Sequence, residues 1–247
     1  MLILLPPSEG KTAPVAGPAV DLASLSHPEL ADARRKVGDA LAKVSGQRNA
    51  LAVLGAGASL APEVARNTTL WERPAAPARE VYAGVLYDAA NAPHWPARAD
   101  ASVLIMSALL GAVSPADRIP PYRLSAGTTL GRLGSTTTFW RPRLSQALNA
   151  QAADQLVVDC RSSGYSAMWA APRDNTVSVR VEREHNGHRA VVSHLAKHWR
   201  GLVTAALLAL PNQAATADDV AATASGIPGV LGVELKPGIL TLVVASA

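Results

Sequence analysis

The most constraining pattern in the chain lies between Val177 and His194. Val177, Val179 and Val181 alternate with Ser178, Arg180 and Glu182; Asn186-Gly187 follows, and Arg189–Ser193 resumes an apolar run. A period of two marks a strand with one buried face, and Asn-Gly suits a type I′ turn because both central residues need positive φ. The segment predicts a β-hairpin. A second hairpin is predicted where Val230–Leu235 and Ile239–Val244 flank Lys236-Pro-Gly238. The earlier strand candidates are short apolar runs set between helical stretches: Leu2–Leu5, Ser102–Met106 and Gln155–Asp159. Alternating strands and helices followed by late hairpins predict an α/β (mixed α+β) fold. Its expected form is one mixed, partly antiparallel sheet covered by helices, not a regular doubly wound sheet.

The helices are marked by their starts and stops. Ser26-His-Pro-Glu29 reads as a capping box with proline in the first turn. The helix it opens is expected to reach about Ser45, with Leu30, Ala33, Val37, Leu41 and Val44 on one face. Residues 49–65 read as short helices, residues 72–78 as a proline-rich loop, and Val81–Tyr87 as ordered structure. Thr138–Ala150 and Ala196–Leu210 are predicted as helices, the second stopped by Pro211, and Thr216 caps a short helix to about Ala224. With no internal repeat and no linker, residues 1–247 read as a single domain.

Composition excludes several classes. At 49% hydrophobic and 17% charged, a 247-residue chain is neither disordered nor fibrous. No apolar run approaches the ~18 residues of a membrane span. Met1–Leu5 lacks a basic flank and meets Pro6-Pro7 at once, so it reads as a strand and not as a signal peptide. A cytoplasmic monomer is expected. Cys160 is the only cysteine, which leaves no disulfide framework and no thiolate metal cluster; neither metal nor cofactor is predicted. The net charge is +4, and before Val203 the chain holds 22 basic against 16 acidic residues. That excess suits a polyanionic partner such as nucleic acid.

Five segments carry candidate chemistry. Ser8-Glu9-Gly10-Lys11-Thr12 follows the first strand, but Leu5 stands where a phosphate-binding P-loop needs glycine. Lys11 can still present its ammonium to a phosphate at a strand end, the usual ligand edge of an open sheet; the alternative is a solvated turn. Gly55-Ala-Gly57-Ala-Ser-Leu60 lacks the third glycine of a dinucleotide fingerprint. Gly111–Asp117 is similar to the glycine turn of a helix–hairpin–helix element, whose backbone N–H groups approach DNA phosphates. Arg118, Arg123 and Arg132 follow it, with Tyr122 placed to stack; an ordinary capped loop fits equally. In Asp159-Cys-Arg-Ser-Ser-Gly-Tyr165, Asp159 and Arg161 share a strand face and are expected to pair toward a cleft, with Cys160 turned to the core. Lys197-His-Trp-Arg200 opens a helix and reads as an anion site, against the alternative of snorkelling side chains on a solvated turn. His194 and His198 have metal-ligand spacing, but His194 is placed in the preceding strand and no His-Glu-x-x-His motif forms.

Taken in order, these segments resemble the YaaA (DUF328, UPF0246) family of bacterial peroxide-stress proteins along nearly the whole chain. The carriers are the opening loop with Lys11, Val81-Tyr-Ala-Gly84, Ser107-Ala-Leu-Leu-Gly111 through Pro115-Ala-Asp117, and Pro121-Tyr-Arg-Leu124. Phe139-Trp140, Asp159–Tyr165 and Ala196-Lys-His-Trp-Arg-Gly201 complete the series. The resemblance implies a compact mixed fold with a basic cleft and a helix–hairpin–helix-like element. It also implies DNA binding and a role in peroxide stress that limits free iron and protects DNA. Val113-Ser-Pro-Ala-Asp117 departs from the family's Leu-Arg-Pro-Leu-Asp, which marks a divergent branch.

Two functional readings follow. In the first, duplex or branched DNA lies along the cleft on phosphate contacts from Lys11, Arg118, Arg123, Lys197 and Arg200, with Ser8, Glu9, Thr12, Gly111, Tyr122, Arg161 and Tyr165 completing the anion-binding set. In the second, the cleft is an enzyme site for a nucleotide, a nucleobase or another small anion, with Lys11, Asp159 and Lys197 as catalytic groups.

Overall fold

The computed structural model describes residues 1–185, 188–191 and 193–245. Its centre is one eight-stranded sheet built from β1 (Leu2–Leu5), β2 (Val103–Ser107), β3 (Gly111–Val113), β4 (Val157–Asp159), β5 (Thr176–His185), β6 (His188–Val191), β7 (Val230–Lys236) and β8 (Ile239–Ala245). The spatial order is β3-β2-β1-β4-β5-β8-β7, with β6 paired to the far end of β5. β2, β1, β4, β5 and β8 run parallel to their neighbours, whereas β3, β6 and β7 are antiparallel additions. The mixed α/β expectation is met.

Local sequence explains most of this. All four residues of β1 are buried, as a strand between two parallel neighbours requires when helices cover both faces. In β5, Val177, Val179 and Val181 are buried and Arg180 is exposed, the alternation read from the sequence. The Asn186-Gly187 turn lies outside the described residues. β7 and β8 pair across Pro237-Gly238 as predicted, with Leu240 opposite Leu235.

The principal helices are α1 (Ala31–Ser45), α2 (Val85–Ala89), α3 (Thr136–Ala153), α4 (Ser163–Ser166), α5 (Ser193–Ala209) and α6 (Ala217–Ser225). None is long and apolar enough to cross a membrane among the described residues. Thr216 forms the expected cap of α6: its hydroxyl accepts from the Asp219 amide, and the Asp219 carboxylate accepts from the Thr216 amide. α5 begins at Ser193, so His194 belongs to the helix and not to the strand before it.

Two expectations are corrected. The Ser26–Glu29 capping box does not form. His27, in the left-handed region at φ 58°, precedes a single 3-10 turn at Pro28–Leu30. The Ser26 amide and hydroxyl instead both donate to Asp117 Oδ1, at 2.9 and 3.0 Å. A carboxylate 91 residues away satisfies Ser26 better than its own helix would.

The segment read as a helix–hairpin–helix turn is a β-hairpin. β2 turns through Ala108-Leu109-Leu110 into β3, with Ser107 opposite Gly111 and every residue from Ala108 to Val113 fully buried. Burial of that apolar turn leaves its carbonyls needing partners, and Arg34 of α1 supplies them. Its Nε donates to the Leu110 carbonyl and its Nη2 to the Ala112 carbonyl, both at 3.0 Å. Gly111 has φ 77°, and a Cβ there would lie 2.8 Å from the Trp140 ring. Glycine there serves internal packing, and Gly111 is buried.

Candidate anion-binding cleft

The parallel strands β1 and β4 end side by side, and their carboxyl ends release Pro6–Gly10 and Cys160–Tyr165 into one rim. This edge is where ligands collect in open α/β sheets. β5 continues past the end of β4 and forms a side wall with Arg180 and Val181. The first turns of α5 add Ala196, Lys197 and Arg200, while residues 83–87 and 123–126 close the remaining sides. The cleft encloses about 650 Å³.

The rim is fixed by backbone contacts. Tyr87 Oη donates to the Pro6 carbonyl at 2.8 Å, and Ser8 Oγ accepts from the Ala83 amide at 3.1 Å. α5 can approach α2 closely because Gly201 has no side chain; a Cβ there would collide with the Leu86 carbonyl and lie 2.8 Å from Ala89 Cβ. That approach carries Lys197 and Arg200 to the cleft.

Among the described residues four cations line it, and they differ in how far they are committed. Arg123 bridges Glu9 at 3.1 Å and Glu63 at 3.9 Å. Arg180 pairs with Glu182 at 2.7 Å. Arg200 donates Nε and Nη2 to the Val179 carbonyl at 3.0 and 2.9 Å, which fixes it to β5, and it makes no ion pair among the described residues. Lys197 is exposed and makes no ion pair among the described residues. Cys160 lies in the floor, fully buried, and burial pushes its thiol up to about 12 although Arg200 partly opposes the shift. Burial likewise holds the Tyr165 hydroxyl well above the ordinary tyrosine range.

Of the residues singled out from sequence, Ser8, Glu9, Arg123, Tyr165, Lys197 and Arg200 meet in this cleft. The others lie elsewhere. Asp159 and Arg161 form the expected pair, but it is buried and stands apart from the cleft wall: Arg161 Nε reaches Asp159 Oδ1 at 2.9 Å and Nη2 reaches Oδ2 at 2.7 Å. A third guanidinium nitrogen donates to the Trp169 carbonyl at 2.8 Å. Both carboxylate oxygens of Asp159 are thus occupied, which leaves it poorly placed to act as a base. Arg118 donates to the Ala75 carbonyl at 2.5 Å and supports the two-stranded sheet Ala76–Pro77 with Arg118–Ile119. Thr12 is exposed, and its amide donates to the Val81 carbonyl. Tyr122 is buried, its hydroxyl in contact with those of Tyr82 at 3.0 Å and Ser107 at 2.8 Å.

Lys11 sits behind the rim and not in the cleft. Its Nζ donates to the Ser8 carbonyl at 2.8 Å and the Glu9 carbonyl at 3.4 Å, and lies 4.1 Å from the Tyr122 ring centroid. Although the residue keeps some surface, its ammonium is desolvated; burial first, then the Arg123 charge, bring it down to about 7, with Glu63 and Glu9 opposing. Sequence reading missed Arg180, which looked only like the polar beat of a strand, and Ser162 and Ser163 beside Tyr165. Among the described residues no three His, Cys, Asp or Glu side chains gather as metal ligands.

Comparison with known proteins gives consistent matches. The family profile described as "Peroxide stress protein YaaA" matches residues 1–226. A UPF0246 protein of Corynebacterium efficiens is 43% identical over 252 residues, covering 99% of this chain and 100% of that protein. A UPF0246 protein of Streptomyces coelicolor is 43% identical over 218 residues, covering 85% of this chain and 83% of that protein. A third, from Corynebacterium glutamicum strain R, is 40% identical over 254 residues, with 99% and 100% covered.

Proposed function

The chain belongs to the YaaA peroxide stress protein family, and on that premise we propose that it works by holding an anionic ligand of nucleotide size in the cleft beyond β1 and β4. The volume of about 650 Å³ lies in the range of small-ligand sites. A duplex carries its phosphates on the outside of a rod too thick for such a cavity. A free nucleotide, or one nucleotide of a single-stranded or branched nucleic acid, matches it, and this narrows the DNA binding that the family resemblance implies.

The observation that carries the reading is Lys197, a cation on the wall, beside Arg200; among the described residues neither has a carboxylate partner. Arg180 stands close by on β5. Cations held near a cleft without counter-charges are poised for phosphate, and each charge-assisted hydrogen bond they make is worth about 1.5–3 kcal/mol. Glu9 on the opposite rim accepts hydrogen bonds from an amino group or a sugar hydroxyl, and Tyr165 supplies an aromatic face.

The test is fluorescence anisotropy with a labelled nucleoside monophosphate, a short oligothymidylate and a duplex, each from 50 to 200 mM salt. Binding of the first two is expected, with duplex weaker. Replacing Lys197 by alanine should lower affinity about 10- to 100-fold. With at most four cations engaged, the salt slope for the single strand should be no steeper than about −3. Duplex binding tighter than both other probes would restore the groove reading; no binding of any probe would end the proposal.

A further inference from the structure

The rim loop Ser8–Gly10 has a second side. Behind it lies a niche of about 10 Å³ lined by Lys11, Glu63, Arg66, Pro121 and Tyr122, room for about one water-sized group. The aromatic faces of Tyr122 and Tyr82 stand 4.1 and 5.5 Å from Lys11 Nζ. Two carbonyls of the rim hold that nitrogen in place, so its rotation is fixed. Arg66 completes the niche, and its guanidinium makes no ion pair or hydrogen bond among the described residues. Glu63 is partly accessible and reaches Arg123 only at 3.9 Å. An amine, a carboxyl group and an unpaired guanidinium therefore share one small opening. The cleft reading does not use any of them.

We propose that Lys11 is the amine of a separate covalent site, which condenses with a small aldehyde bearing its own carboxylate to form an imine. The Nζ lone pair adds to the carbonyl carbon as the carbonyl π pair moves to oxygen. That oxygen takes up one proton and nitrogen releases one, giving a carbinolamine. The hydroxyl then leaves as water and a C=N bond forms, so one C=O is exchanged for one C=N with no change in oxidation state. Glu63 carries the proton between nitrogen and oxygen, and Arg66 holds the substrate carboxylate. The size of the niche admits only the carbonyl end of the molecule. Neutral amine is present for the reaction at neutral pH because desolvation and Arg123 bring Lys11 to about 7. At that pH an exposed lysine, with a pKa of about 10.4, is neutral roughly one time in 2,500.

The experiment treats the intact protein with glyoxylate and cyanoborohydride, which reduces the imine to a stable adduct, and locates the adducts by peptide mass spectrometry. At pH 7 Lys11 should be modified at least tenfold more than the exposed Lys36, Lys43 and Lys236. Its labelling should level off above pH 8, while theirs keeps rising about tenfold per unit. Labelling of Lys11 no greater than theirs would overturn the proposal. In Arg66→Ala, glyoxylate labelling at Lys11 should fall severalfold while labelling by the neutral aldehyde propanal stays unchanged; equal effects on both probes, or no effect, would overturn the role of Arg66. Loss of nucleotide binding in the cleft leaves these adducts unaffected, so the two proposals fail separately.

Discussion

Replacing Asp159 with alanine strands a buried guanidinium. Arg161 then keeps only the Trp169 carbonyl, and its own amide loses the Oδ1 acceptor it holds at 2.9 Å. Both partners are at least nine-tenths buried, so water cannot easily replace the carboxylate. Removing one member of such a pair costs about 3–5 kcal/mol, whereas removing both charges is often close to neutral. With a urea m-value of about 2 kcal/mol/M for a chain of this size, Asp159→Ala should lower the unfolding midpoint by roughly 1.5–2.5 M. Asp159→Asn keeps one acceptor and should lose about half as much, and Asp159→Leu with Arg161→Leu should recover most of the loss. The assay is tryptophan fluorescence in urea at constant m, with Trp169 as a reporter beside the pair. A loss below about 1 kcal/mol in the alanine variant, or a double variant as poor as the sum of the singles, would refute the assignment of this pair to structure. It would also revive Asp159 as a base for cleft chemistry.

Two further outcomes test the packing around the cleft. Gly201→Ala gains about 1 kcal/mol in helix propensity but drives a methyl group into the Leu86 carbonyl, so α5 must shift at a cost of about 1–3 kcal/mol or more. Its melting temperature should fall by several degrees, and a rise would show that α5 and α2 are not in tight contact. Cys160, with its thiol pushed up to about 12, should react with a disulfide reagent at pH 8 at least ~100-fold more slowly than free cysteine until urea exposes it. Fast reaction in the folded protein would contradict its burial.

The sequence showed what neighbouring residues decide among themselves. The Val177–Val181 alternation, the apolar run of β1 and the Thr216 cap all survive in the fold because each is satisfied locally. Ser26 and Gly111 were misread for one shared reason: their partners are distant. Asp117 takes the hydrogen bonds that Ser26 would have given its helix, and Arg34 with Trp140 turns a glycine loop into a buried hairpin. The same limit applies to the site. Lys197 and Arg200 were readable as a basic helix start, and Ser8 and Glu9 as a strand-end loop. That Lys11 stands behind this loop against Tyr122 depends on a contact 111 residues apart that no local pattern records. Arg180 enters the cleft only because β5 outlasts its neighbour β4, a matter of strand length and not of residue type.

The position of β1 also bears on synthesis. Leu2–Leu5 precedes both of its neighbours in the chain yet lies between them in the sheet: β2 starts at Val103 and β4 ends at Asp159. At ~5–20 residues per second, the ribosome needs about 10–30 s to supply both neighbours. Through that interval the strand carries unpaired amides and four large apolar side chains. Exposed apolar surface and unpaired strand edges of this kind favour association between chains that are still incomplete.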